Sequence, residues 1–251
     1  MPSAQQFVAP KWFSSLKQIV IGNGYCEDDR IVEIDGLGEL ESIVVGEGSF
    51  TYARTRSAVR KSKRADGTLR IVNCPKLKSI RIGCFSFSDF HFVELYNLPS
   101  LQTIHLGMDC FYNAPSFSLA NMPSLESIIF DGYNFSNCHS VVFSDLPKLR
   151  SIELGALTFC GDCRNGRMTI QEKPYYSMNT LIMRDLPALS LFSGGMCCFC
   201  DIGSVVLKNI PQLSTVGTFF PNNSFQCTYS LTSSNAYTLS CVIRRNSDCL
   251  E

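Results

Sequence analysis

Charge imbalance is missing from this sequence. Lys plus Arg and Asp plus Glu each number 22 in 251 residues, so no net field marks nucleic acid or a membrane surface as the main partner. Long apolar runs are missing too. None approaches the ~18 residues of a membrane span, and even "LIMRDLPALSLF" carries Arg184 and Asp185. Histidine is scarce, at His91, His105 and His139. None stands in an H-E-x-x-H motif, and no G-x-S-x-G or phosphate-cradling glycine pattern occurs. With no nucleophile, base and orienting group to place together, catalysis is not expected. The opening "MPSAQQFVAPKW" has no charged start followed by an apolar run, so export by a signal peptide is not expected.

What the sequence has in abundance is repetition. The stretch "NLPSLQTIHLGMDCF" at 97–111 has a near twin, "NMPSLESIIFDGYNF", at 121–135. The anchoring Leu recurs at Leu16, Leu40, Leu77, Leu101, Leu125, Leu149, Leu189 and Leu213. The intervals are 24, 37, 24, 24, 24, 40 and 24 residues, which makes eight units, two of them lengthened by 13 and 16 residues. Three residues after the anchor come Ile19, Ile43, Ile80, Ile104, Ile128, Ile152, Phe192 and Val216. Five after it come Ile21, Val45, Ile82, Leu106, Phe130 and Leu154, and ten after it Phe50, Phe87, Phe111, Phe135, Phe159 and Phe199. Eight and six residues before the anchor the apolar pairs alternate, as in Val32/Ile34, Leu69/Ile71, Phe117/Leu119 and Val205/Leu207. Period two means strand.

Each unit therefore predicts two short parallel strands, with units stacked at ~4.8 Å. The expected fold is mostly β: a single solenoid domain of about eight coils over 1–251. Residues 1–12, with Phe7 and Trp12, are expected to cap the start. Residues 13–230 carry the repeats, with insertions near 51–68 and 160–180, and 231–251 form a C-terminal cap and tail.

The anchor, plus-three, plus-five and plus-ten columns spell L-x-x-L-x-L-x-x-x-x-L, which resembles the leucine-rich repeat superfamily from about residue 12 to about 230. The family's Asn or Cys at plus-eight is largely missing. That column reads Gly24, Gly48, Phe85, Asp109, Tyr133, Leu157, Cys197 and Pro221, of which Cys197 alone fits. A polar column stands four residues before the anchor instead: Asn73, Asn97, Asn121, Asp145, Asp185 and Asn209. Such side chains bond the backbone two residues on, and the Pro that follows fixes the turn, so the turn ladder is expected at this corner.

The resemblance implies that the outward face of the first strand binds ligand. Among the middle coils that face offers Arg81, Thr103, His105, Ser127, Ile129 and Glu153. A plain solvent face is the competing reading. The first insertion adds Arg54, Arg56, Arg60, Lys61, Lys63 and Arg64 against one acid, Asp66. It reads as a patch for an acidic protein partner, as an import-like "RKSKR" cluster, or as a solvated disordered loop. No aromatic row accompanies the charge, so nucleic acid is not expected.

Cysteine is plentiful, at thirteen residues. Without an export signal, mostly free thiols in a reducing cytoplasmic setting are expected, or a nuclear one if "RKSKR" directs import. Cys160 follows Phe159 and Cys200 follows Phe199, so the two lie on adjacent coils with their thiols about one strand spacing apart. With Cys163 and either Cys198 or Cys197 they would make a four-thiolate zinc site. Cys198 and Cys200 flank an inward Phe and are expected to face outward together. A disulfide and plain buried thiols stay open beside zinc, and no other cofactor is expected. The leading functional expectation is a non-enzymatic protein-interaction scaffold. A structural zinc-binding repeat protein and a surface recognition or adhesion protein, which would need export, are the alternatives.

Overall fold

A computed structural model describes residues 5–9, 13–61, 66–161, 178–217, 224–247 and 250. The chain begins β1 (Gln5–Val8), β2 (Gln18–Ile21), β3 (Asp29–Asp35), β4 (Ser42–Val45), α1 (Arg56–Lys61), β5 (Gly67–Val72), β6 (Ser79–Ile82), β7 (Phe90–Tyr96) and β8 (Thr103–Leu106). It continues β9 (Ser116–Ala120), β10 (Ser127–Phe130), β11 (Ser140–Ser144), β12 (Ser151–Leu154), β13 (Thr180–Arg184), β14 (Leu191–Gly194), β15 (Ser204–Lys208), β16 (Thr215–Val216), β17 (Ser230–Ser234) and α2 (Tyr237–Asn246). The protein is a parallel β-solenoid of about eight turns. Its even-numbered strands form one eight-stranded sheet, and the odd-numbered strands form the other side. The repeat columns align residue for residue: Ile128 lies beside Ile104 on one side and Ile152 on the other.

The core lies between the two sides. The anchors Leu40 to Leu189 and the plus-three residues Ile43 to Phe192 are buried. At the corner after each first strand, Phe50, Phe87, Phe111, Phe135, Phe159 and Phe199 stack with ring centroids 4.6–5.4 Å apart. Their backbones are left-handed, with φ between 51° and 57°. That conformation costs a bulky residue about 1–2 kcal/mol. Full burial contributes about 2–3 kcal/mol per ring and each stacked pair about 0.5–1.5 kcal/mol, so the column is net stabilising. Phe225 (φ 58°) extends the stack at 5.2 Å from Phe199, and Cys26 (φ 58°) takes the same slot in the first coil.

The Asn and Asp column is indeed a ladder, but by a different bond from the one expected. Asn73 donates to Asp35 at 2.8 Å, Asn97 to Asn73 at 2.9 Å, Asn209 to Asp185 at 3.0 Å and Asn235 to Asn209 at 3.2 Å. These are side-chain rungs between neighbouring coils, not bonds to the local backbone. The column's φ values run from 50° to 57°, the region that Asn and Asp tolerate better than other side chains.

The two sides differ in continuity. The odd-numbered side is two sheets, β1-β3-β5-β7 and β9-β11-β13-β15-β17, with no ladder joining β7 to β9. Pro115, just before β9, has no N–H to donate. Phe117 puts a ring where Val32, Leu69 and Val141 stand in other coils, and it packs on Phe135 and Phe159. At this break Val93 and Leu95 are partly exposed, while the matching Val32, Leu69 and Leu119 are buried.

Both ends go beyond the expected caps. β1 is a further strand, parallel to β3, with Phe7 edge-on to Phe50 at 5.8 Å; Trp12 lies outside the described residues. β17 pairs with β15, and α2 then packs against β16 and β17.

Candidate interaction surface

Strand alternation turns the plus-three and plus-five side chains inward, so the plus-two and plus-four residues of the eight-stranded sheet face out. Val20, Val44, Arg81, His105, Ile129, Glu153 and Ser193 stand in register on successive strands. Val20 is 64% exposed and Ile129 37%. Arg81, Thr103 and Glu153 are exposed, and His105 and Ser127 are half-buried. His105 Nε2 lies 3.9 Å from Asp131 Oδ1. The strands' contacts run along the sheet, and α2 touches it at its last strand. The six residues expected on this face therefore do share one surface.

The first insertion is a docked strap over residues 53–61, not a solvated loop. Thr55 Oγ1 accepts the Ala58 N–H at 3.3 Å and starts α1. Val59 is fully buried with Ala53, Tyr112 and Phe85. Arg56 grips Asp109 with two bonds, Nε to Oδ1 at 3.2 Å and Nη2 to Oδ2 at 3.0 Å. Its guanidinium carbon lies 3.4 Å from the Tyr133 ring centroid. The Asp109 side chain has no exposed surface, and its hydrogen bond, outweighing desolvation, raises the Arg56 pKa. Arg54 donates to Glu27 at 2.8 Å and to the Gly24 carbonyl at 3.1 Å. Asn113 Nδ2 donates to the Val59 carbonyl at 3.3 Å. Two of the basic side chains thus tie the strap to its own solenoid, while Lys61 is exposed. The Arg60 side chain, Lys63 and Arg64 lie outside the described residues.

A second cluster fixes the strap's return. Arg30 pairs with Asp66 at 3.1 Å and with buried Asp89 at 3.3 Å. Gly67 makes room for it: a Cβ there would lie 2.7 Å from the Phe90 ring and 2.9 Å from Arg30 Nη2. The sequence reading missed Asp109, Tyr133 and Glu27 as anchors. Asp109 carried a signal, as the one acid in the plus-eight column.

Of the four cysteines proposed for zinc, the structure brings two together. Cys160 Sγ and Cys200 Sγ are 3.2 Å apart. Cys198 donates instead to the Gly155 carbonyl at 3.1 Å, as Cys110 in the same register donates to that of Gly83 at 3.2 Å. Cys163 lies outside the described residues. Among the described residues no three metal-ligating side chains gather. Cys198 and Cys200 are buried instead of facing outward, because left-handed Phe199 between them turns the chain through the corner. Among the described residues, Cys26, Cys74, Cys84, Cys110, Cys138, Cys198 and Cys241 are free thiols. Cys160 is disulfide-bonded. Burial pushes the Cys138 and Cys198 thiols up to about 12.

Compared with known protein families, with curated proteins and with solved structures, the chain matches none.

Proposed function

We propose that this chain is a non-enzymatic protein-interaction scaffold of the leucine-rich repeat kind, which binds a protein partner through the outward face of its eight-stranded sheet. One observation carries the reading: that face runs unbroken through every coil, in register, and its plus-four column changes chemistry along its length. A partner lying across it meets Val20 and Val44, then the Arg81 cation and His105, then Ile129, then the Glu153 anion, in steps of ~4.8 Å. Ordered alternation of apolar and charged groups selects a partner by complementarity more than by area. The small Ser and Thr column beside it, including Thr103 and Ser127, lets a partner approach the sheet closely. Exposed Lys61 on the strap offers an acidic partner a further cation.

The test is affinity capture from the native source with the immobilised chain and two variants. The face variant combines Arg81→Glu, Ile129→Asp and Glu153→Arg. The strap variant is Lys61→Glu. A protein retained by the native chain and lost on the face variant, with unchanged circular dichroism, supports the sheet face. Identical capture by the native chain and the face variant overturns it. Loss on Lys61→Glu alone moves the site to the strap.

A further inference from the structure

We propose that Ser57 is a phosphoacceptor for a protein kinase that reads basic residues, and that the Arg56–Asp109 clasp sets how often the strap offers it. Three serines in the chain have a basic residue both three positions before and one position before: Ser57 with Arg54 and Arg56, Ser79 with Lys76 and Lys78, and Ser151 with Lys148 and Arg150. A kinase groove that recognises such cations is lined by carboxylates and takes its substrate as an extended chain. Ser79 lies in β6, paired to β4 and β8, and Ser151 in β12, paired to β10 and β14. Drawing either one out breaks two ladders of the continuous sheet. Ser57 lies exposed on α1, in the strap, which can leave while every strand stays in place.

The solenoid and the kinase compete for the same two side chains. Arg56 is held by Asp109 and lies over the Tyr133 ring, and Arg54 is held by Glu27. A kinase's carboxylates offer each guanidinium the same kind of partner. Val59, buried against Ala53 and Tyr112, must leave its site as well. The docked strap therefore withholds Ser57, and the undocked strap presents it. In the transfer, Ser57 Oγ attacks the γ-phosphorus of ATP; the new O–P bond replaces the bond to the departing ADP, and the hydroxyl proton passes to the kinase's base. The product fits the docked strap. Ser57 is exposed, and exposed Lys61 stands four residues on in the same helix, the favourable order for an acid and a Lys. The strap gains a charge of about −1.5 to −2 beside Lys61, which repels an acidic partner. That consequence rests on the proposed role of Lys61 in binding; the modification itself does not.

The intact chain, Asp109→Asn and Val59→Ala are each incubated with the catalytic domain of a basic-directed protein kinase and magnesium ATP. Phosphorylated positions are mapped and timed by mass spectrometry, with circular dichroism to check that the strands are retained. The expected result is phosphate on Ser57 and not on Ser79 or Ser151. It should enter about tenfold faster in Asp109→Asn, which frees Arg56, and about as much faster in Val59→Ala, which loosens the apolar anchor without touching a charge. The proposal is overturned if Ser57 stays unmodified in the intact chain and in both variants, if Ser79 or Ser151 is modified first, or if neither variant is faster than the intact chain. Affinity capture with the Ser57-phosphorylated chain separates the two readings: lost capture, as on Lys61→Glu, supports the switch, and unchanged capture overturns the role of Lys61 while the phosphoacceptor site stands.

Discussion

At Asn97 the backbone is left-handed, φ 53°, and the side-chain amide reaches Asn73 of the preceding coil at 2.9 Å. The position asks for tolerance of that φ and for a donor across the coil step. Asn97→Ala loses both and is expected to cost about 1–2 kcal/mol in urea unfolding, mostly from the left-handed backbone. Asn97→Gly loses the rung but accepts the φ, and is expected to cost less than about 1 kcal/mol. Equal losses would show that backbone conformation is not what the residue supplies. The buried thiols give a second residue-scale prediction. Burial raises their folded pKa to about 12, from the 9.0 of an ordinary thiol. The stability linked to Cys138 and Cys198 is therefore full below about pH 9. It falls as pH rises from there toward 12, because the unfolded chain ionises first. Each thiol should remove about 1.4 kcal/mol per pH unit in that window. Urea midpoints followed from neutral pH upward should drop on the alkaline side. Cys198→Ser, which keeps a donor for the Gly155 carbonyl, should make the drop shallower.

The strap is the element whose structure depends on one charge pair. Arg56→Ala leaves the carboxylate of Asp109 with no exposed surface and no guanidinium. Breaking a buried pair costs about 3–5 kcal/mol, and the loss here should sit at or below the lower end because a third of Arg56 remains in water. The loss should be smaller when Asp109→Asn is added, since the stranded charge goes too. Urea unfolding of the two variants measures it, and a double variant no more stable than Arg56→Ala would show that the charge pair is not the anchor. Proteolysis within residues 53–61 should rise in parallel. The strap also marks where the sequence stopped being readable. The strands were legible because period two recurs through eight units, so each unit confirms the others. The Asn97 rung was legible as a column for the same reason. Arg56 and Asp109 are 53 residues apart and occur once, so no period announces them, and the basic run read as a loop or patch. β17 escaped notice because Phe225 stands twelve residues after Leu213, while the other rings stand ten after their anchors. The candidate face was legible as an alternation, and its residues are where that alternation puts them. What binds there was not legible, since outward positions carry no packing constraint.

Across the whole molecule, the eight-stranded sheet is the one continuous structure, and the other side is interrupted between β7 and β9. A solenoid's stability is roughly a sum of coil terms and neighbour terms, so the weakest interface decides where it opens. At this step the β6, β8 and β10 ladders are intact. On the opposite side the backbone rungs are lost, Val93 and Leu95 touch water, and Phe92 and Tyr96 are 56% and 63% exposed on the edge strand. The molecule should therefore open here first, hinging about the sheet proposed to bind. Native-state hydrogen exchange followed by mass spectrometry tests this. Amides of β7 and β9 should exchange faster than those of β5 and β11, while β8, in the same coils, stays protected. Pro115→Ala with Phe117→Val restores a donor and a side chain like those of the other coils, and should slow exchange in β7 and β9. If β7 and β9 are as protected as β5 and β11 in the native chain, the two sheets are joined in solution and the hinge is absent. If they exchange fast and the double variant slows them, the break is set by these two residues, and the curvature of the face proposed to bind becomes adjustable from the opposite side of the molecule.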